Sequence, residues 1–243
     1  MHQYVEAGFW LVGPDQSDGL GVTDALRSQV LALRSKGLLK NAHAAAFEQL
    51  GQFRACGDTF GEAKTLLILA HVNHDKRGSA NRERAFEWAL QARQIFAERG
   101  DAKLEAEALL ALVNIVMKRR GDRRQAAEET KQLVAAALPL LHSAGDLRGE
   151  GVAMHNLACA YALSAAWERA AGAAQKARAM FGEAKLRKLE AFELHCAAIW
   201  YMMDEDPREA AEAAEEAMGI YLEDSMPMIV EIFAAYKQPQ VFS

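Results

Sequence analysis

Cysteine and proline are both scarce in this chain of 243 residues. Three cysteines, without the paired short spacings of a zinc finger, imply no disulfide framework and read as free thiols in a reducing compartment. Five prolines occur, and Pro14, Pro207, Pro227 and Pro239 lie near the ends or in apparent turns, which leaves the interior almost free of helix breakers. No run of about 18 apolar residues is present, so no membrane span is expected. Residues Met1 to Leu11 lack the basic start and long apolar stretch of a secretory signal, and an intracellular, cytoplasmic location is the expectation. Positive charge is not in excess either. With 28 Lys+Arg against 33 Asp+Glu the net charge is −5, which argues against general binding to nucleic acid. Strict apolar/polar alternation is missing, so no strand is expected.

Helix formers are abundant. Between Thr23 and Leu222 the chain is rich in Ala, Leu, Glu, Arg and Gln, and apolar residues recur at three and four, as in Leu66, Leu69, Ala70 and Asn73. The fold class is all-α. Gly57-Asp58, Gly100-Asp101 and Gly145-Asp146 interrupt the pattern: glycine accepts the left-handed conformation that ends a helix, and the following Asp can cap the next. With Glu62, Glu105, Glu150 and Glu190 in one column, Leu66, Leu109, Met154 and Leu194 fall together. So do Leu69, Leu112, Leu157 and Ala197, then Ala70, Val113, Ala158 and Ala198, then Asn73, Val116, Tyr161 and Tyr201. A second helix follows each, marked by alanine stripes such as Ala85, Ala89 and Ala92, or Ala170, Ala174 and Ala177. Small residues at this spacing let two helices approach closely. The unit is a helical hairpin repeated about five times, and the second helix after Arg120 fits worst because Pro139 interrupts it.

Asn156-Leu157-Ala158-Cys159-Ala160-Tyr161, followed by Trp167-Glu168-Arg169-Ala170 and Ala177, resembles the tetratricopeptide repeat. Ala197, Ala198, Tyr201, Ala210 and Ala217 match the same pattern, and the hairpin ending at Gly100 matches in part. The repeats are longer than the family's usual length and resemble those of kinesin light chain-like adaptors. The resemblance implies a right-handed superhelical stack of antiparallel hairpins whose first helices line a concave groove for peptides. It divides the chain into an arm (1–21), a repeat domain (22–222) and an apolar C-terminal capping segment (223–243).

The repeat columns place a candidate groove on the side of the first helices not used by the Leu/Ala/Tyr columns. Its residues are Leu67, His71, Leu110, Asn114, Met117, His155, Asn156, Cys159, His195, Ile199 and Met202. Such a face suits an amphipathic helix or apolar peptide, with Asn and His fixing register. The alternative for the same residues is packing against other helices or a neighbouring subunit. Lys118, Arg119, Arg120, Arg123 and Arg124 form a basic turn that either caps a helix or docks an acidic partner segment. Glu209, Glu212, Glu215 and Glu216 read as a water-facing side.

His155 and Cys159, with His195 one hairpin on, raise the thought of a metal or a Cys–His nucleophile. Adjacent His195 and Cys196 point to different faces, so the tetrahedral convergence zinc needs is not expected, and no cofactor is. The expectation is a non-catalytic scaffold that binds a protein or peptide segment in a groove. The alternatives are a subunit built into a larger multi-subunit complex and, ranked lower, a metal-dependent regulator or enzyme.

Overall fold

A computed structural model describes residues 22–119 and 121–223. The N-terminal arm, Arg120 of the basic turn and the capping segment beyond Glu223 lie outside the described residues. Within them the chain is all-α: α1 (Val22–Ser35), α2 (Leu39–Cys56), α3 (Thr59–Asp75), α4 (Ser79–Arg99), α5 (Ala102–Met117), α6 (Arg123–Ser143), α7 (Leu147–Leu163), α8 (Trp167–Glu183), α9 (Arg187–Met203) and α10 (Pro207–Glu223). No strand occurs among the described residues. The contacts divide the helices into two compact units, α1–α6 ending at Asp146 and α7–α10 beginning at Leu147. A boundary thus falls inside the stretch 22–222 that reads in sequence as a single repeat domain.

In the first unit the helices end where glycine permits it. Gly57, Gly100 and Gly145 sit at φ 74°, 70° and 65°. In each case the glycine N–H and the following Asp N–H return to carbonyls of the last helical turn, such as Gly100 to Ala97 and Asp101 to Phe96. Asp58 then accepts from the N–H groups of Phe60 and Gly61, and Asp101 from that of Leu104, so a single dipeptide closes one helix and opens the next. Each helix packs on its successor, and the first helices α1, α3 and α5 also pack side by side. The alanine stripe of α4 (Ala85, Ala89, Ala92) is wholly buried and ends on buried Phe96.

Helix α6 runs unbroken through Pro139, contrary to the interruption expected there. Pro139 and Ala135 are both exposed, so the hydrogen bond that proline removes is lost on the outer side of the helix. The buried stripe Ala127, Thr130, Val134, Ala137 and Leu141 continues on either side of it.

The second unit is more regular. Its four helices are each 17 residues long. The turns joining them use the left-handed conformation at Ala165, Lys185 and Glu205, at φ 55°, 58° and 61°. None of these is glycine, yet each repeats the hydrogen bonds of the glycine turns: Lys185 N–H donates to Gly182 and Leu186 N–H to Phe181. Ala170, Ala174 and Ala177 of α8 are buried without exposure, as are Ala158 of α7 and Ala191 of α9. Leu194 and Ala198 of α9 form a core with Ala213, Ala217, Ile220 and Tyr221 of α10.

Candidate functional site

Helix α3 is apolar or small on nearly every side, from Ala63 to Val72, and is buried accordingly. The polar groups near its end tie three first helices together. Arg34 of α1 donates through Nε to Asp75 Oδ2 at 2.8 Å, and Arg27 pairs with Glu107 of α5. His74, itself buried, donates through Nε2 to the Asn114 carbonyl at 3.1 Å. Burial would raise the Asp75 carboxyl, but the bond to His74 and the Arg34 charge hold it below its usual value. His71 experiences the reverse. Its surface is only partly covered, but packing around the ring is the largest influence, and the charges of Arg34 and Arg27 add to it. Together they push its pKa down to about 3, against a smaller pull from Asp75. His71 is therefore neutral under the influence of two guanidinium groups.

In the second unit a different chain of groups is sealed in the interior. His155 of α7 and Glu193 of α9 are both fully buried, with Nδ1 2.8 Å from Oε1. The N–H does not point along that line, so Nδ1 and both carboxylate oxygens lack an aligned hydrogen bond. On the other side of the ring, Cys159 Sγ lies 3.5 Å from Nε2. Phe192 covers the ring with centroids 5.4 Å apart. Burial works against a charged imidazole here. Cys159 and Glu193 nonetheless hold the pKa of His155 well above the ordinary histidine value, so the ring keeps its proton. Burial, then Glu193 and Cys159, push the Cys196 thiol well up, and Tyr221 is raised by burial, Cys196 and Glu193.

Thiol, imidazole and carboxylate thus stand in the order that cysteine nucleophiles use. Cys159 is only 4% exposed, however, and sits mid-helix, which gives a substrate no approach to the sulfur. Among the described residues no group of three or more His, Cys, Asp or Glu is placed to hold a metal ion. His195 is half-buried, and burial lowers its pKa.

The eleven residues assigned to an open face divide into two sets. Leu67, Leu110, Asn114, His155, Asn156 and Cys159 are buried, and that part of the assignment is corrected. For Leu67 and Asn114 the cause is the side-by-side packing of α1, α3 and α5; His155 is covered by Glu193 and Phe192 of α9, and Cys159 lies against His155. His71, Met117, His195 and Ile199 are half-buried and Met202 is 56% exposed. Two of the buried set retain an unsatisfied donor: Asn114 Nδ2 and Asn156 Nδ2 have no acceptor.

The basic turn is less free than its composition implies. Arg119 stacks on the Phe86 ring at 4.0 Å and reaches Glu129 at 3.5 Å, and Lys118 is also engaged. Arg123 and Arg124 are exposed beside Asp122, which caps α6. Sequence reasoning missed Glu193. The available signal was a lone carboxylate within the apolar run Ala191-Phe192-Glu193-Leu194.

No protein-family model matches the chain. No curated protein matches it either. Among the described residues no helix is long and apolar enough to cross a membrane.

Proposed function

We propose that the chain is a tetratricopeptide-like interaction scaffold that seats a peptide or helix of a partner protein on its first helices. The observation that carries this reading is the stripe His195, Ile199 and Met202 on α9. These residues stand at i, i+4 and i+7, so they share one helix face, on which His195 and Ile199 are half-buried and Met202 is 56% exposed. An apolar partner helix would gain from covering Ile199 and Met202, and the His195 ring offers a polar group to set its register. The neutral His71 and half-buried Met117 give the first unit a smaller patch of the same character. Closed packing around Cys159 supports a role in binding over one in catalysis.

The test is affinity purification of the full chain and of an Ile199→Glu/Met202→Glu variant from native extract, with partners identified at low and raised salt. Exchangeable partners lost from the variant support the scaffold. A single salt-resistant set retained by both would make the chain a permanent subunit held by other faces. Partners unaffected by the double substitution would remove the α9 stripe from the account.

A further inference from the structure

The second helices of the first unit carry a feature that the α9 stripe does not use. His43 and Phe47 stand one turn apart on α2, with ring centroids 5.7 Å apart and planes 10° from parallel. His43 also meets Trp88 of α4, at 6.0 Å and 36°. Phe47 is 53% exposed, while His43 and Trp88 are half-buried, so three rings lie together with one flank open to water.

Two cations are near enough to this stack to act on the charge of His43. Arg84 is one turn before Trp88 on α4, and Lys76 follows the end of α3. Neither pairs with a carboxylate among the described residues, although Glu48, Glu83 and Glu87 occupy neighbouring helix positions. Their mutual influence is nevertheless felt. Burial and then Arg84 lower the pKa of Lys76, and burial, Lys76 and Arg84 lower that of His43. Two like charges thus lie near the exposed Phe47 ring, and neither is held in an ion pair among the described residues. That combination is unfavourable in the free chain and is relieved by an anion.

We propose that His43, Phe47 and Trp88, with Lys76 and Arg84 nearby, form a docking surface for an acidic peptide segment that carries an aromatic or large aliphatic side chain beside its carboxylates. The partner's carboxylates meet Lys76 and Arg84 in charge-assisted hydrogen bonds, and its apolar side chain extends the stack over Phe47. Aromatic and Arg side chains are the residues that most often dominate binding energy at protein interfaces. Two cations match a short acidic segment. A nucleic acid backbone is served by a longer run of them, and the chain's net charge of −5 opposes one. This surface lies on α2 and α4, so it stands or falls separately from the α9 stripe.

The probe is a short fluorescein-labelled peptide of Glu, Phe and Leu, compared with the same peptide bearing Gln for Glu, titrated with the full chain and followed by anisotropy. The Glu peptide should bind, weaken with salt, and lose about tenfold or more in affinity in Lys76→Glu/Arg84→Glu and in Phe47→Ser. Phe47 is exposed, so the melting curve of Phe47→Ser should match that of the parent, separating lost binding from lost fold. In a proton NMR titration, peptide binding should raise the pKa of His43. Equal binding of the Glu and Gln peptides, undiminished binding in both variants, or failure of the Glu peptide to bind would overturn the proposal. Tighter binding of a single-stranded oligonucleotide through the same residues would replace it with a nucleic-acid site.

Discussion

His155 Nδ1 lies 2.8 Å from Glu193 Oε1, and neither side chain has any exposure to solvent. A buried pair of this kind is costly to break and cheap to replace. Desolvation of both ions offsets their attraction, whereas removing one leaves the other uncompensated. Glu193→Leu alone should cost about 3–5 kcal/mol of unfolding free energy, and the double variant His155→Leu/Glu193→Leu should recover most of it. Chemical denaturation of the two variants decides this. A double variant no better than the single would mean that the two side chains do not act as a pair.

His155 and His71 should give opposite pH dependences. His155 has a folded pKa above its unfolded value of about 6.5, so its contribution is complete below that pH and is lost as pH rises through the folded pKa. His71 has a folded pKa of about 3, so its contribution is complete above the unfolded value and is lost as pH falls toward 3. Melting curves of the parent, His155→Leu and His71→Asn across pH should therefore converge at the alkaline end for the first substitution and at the acid end for the second. Difference profiles of the same sign in both variants would contradict the two assigned environments.

The left-handed turn residues of the second unit lend themselves to improvement. An L-residue at positive φ is strained by its Cβ, and glycine is not. Lys185→Gly should raise stability by about 0.5–1 kcal/mol despite the freedom glycine adds to the unfolded chain. A lowered melting temperature would mean that the Lys185 side chain holds the turn by contacts of its own.

A close approach in α7 should be intolerant of a single methyl group. A Cβ on Gly151 would lie 2.5 Å from Cε1 of Phe181, a ring with no exposure and little room to move. Gly151→Ala should cost about 1–3 kcal/mol, and adding Phe181→Leu should restore part of the loss by withdrawing the ring. Thermal unfolding of the pair checks both halves of the statement.

The helices, the alanine stripes of α4 and α8 and the glycine turns were legible because each has a local cause that appears in the residues themselves. Gly57, Gly100 and Gly145 announce their conformation, and Ala170, Ala174 and Ala177 announce a close neighbour. Ala165, Lys185 and Glu205 announce nothing, since they adopt a left-handed backbone that their side chains do not favour. Periodicity also identifies an apolar face without saying how many faces are covered. That is why Leu67 and Leu110, assigned to an open row, lie in the interior beside Leu66 and Leu109. Glu193 escaped for a related reason: its partner is on another hairpin, and no spacing rule joins positions that meet only through the tertiary fold.

The turns at Ala165 and Glu205 have the same backbone conformation, and Gly145 and Lys185 likewise, each twenty residues from its neighbour. A genetic duplication or loss of the segment between two corresponding turns would join like to like, with helix following helix in phase. Misaligned recombination could therefore lengthen or shorten this part of the molecule by whole hairpins without the invention of a new loop. The equal spacing thus gives the chain a coarse unit of change, a hairpin at a time, alongside the single residue.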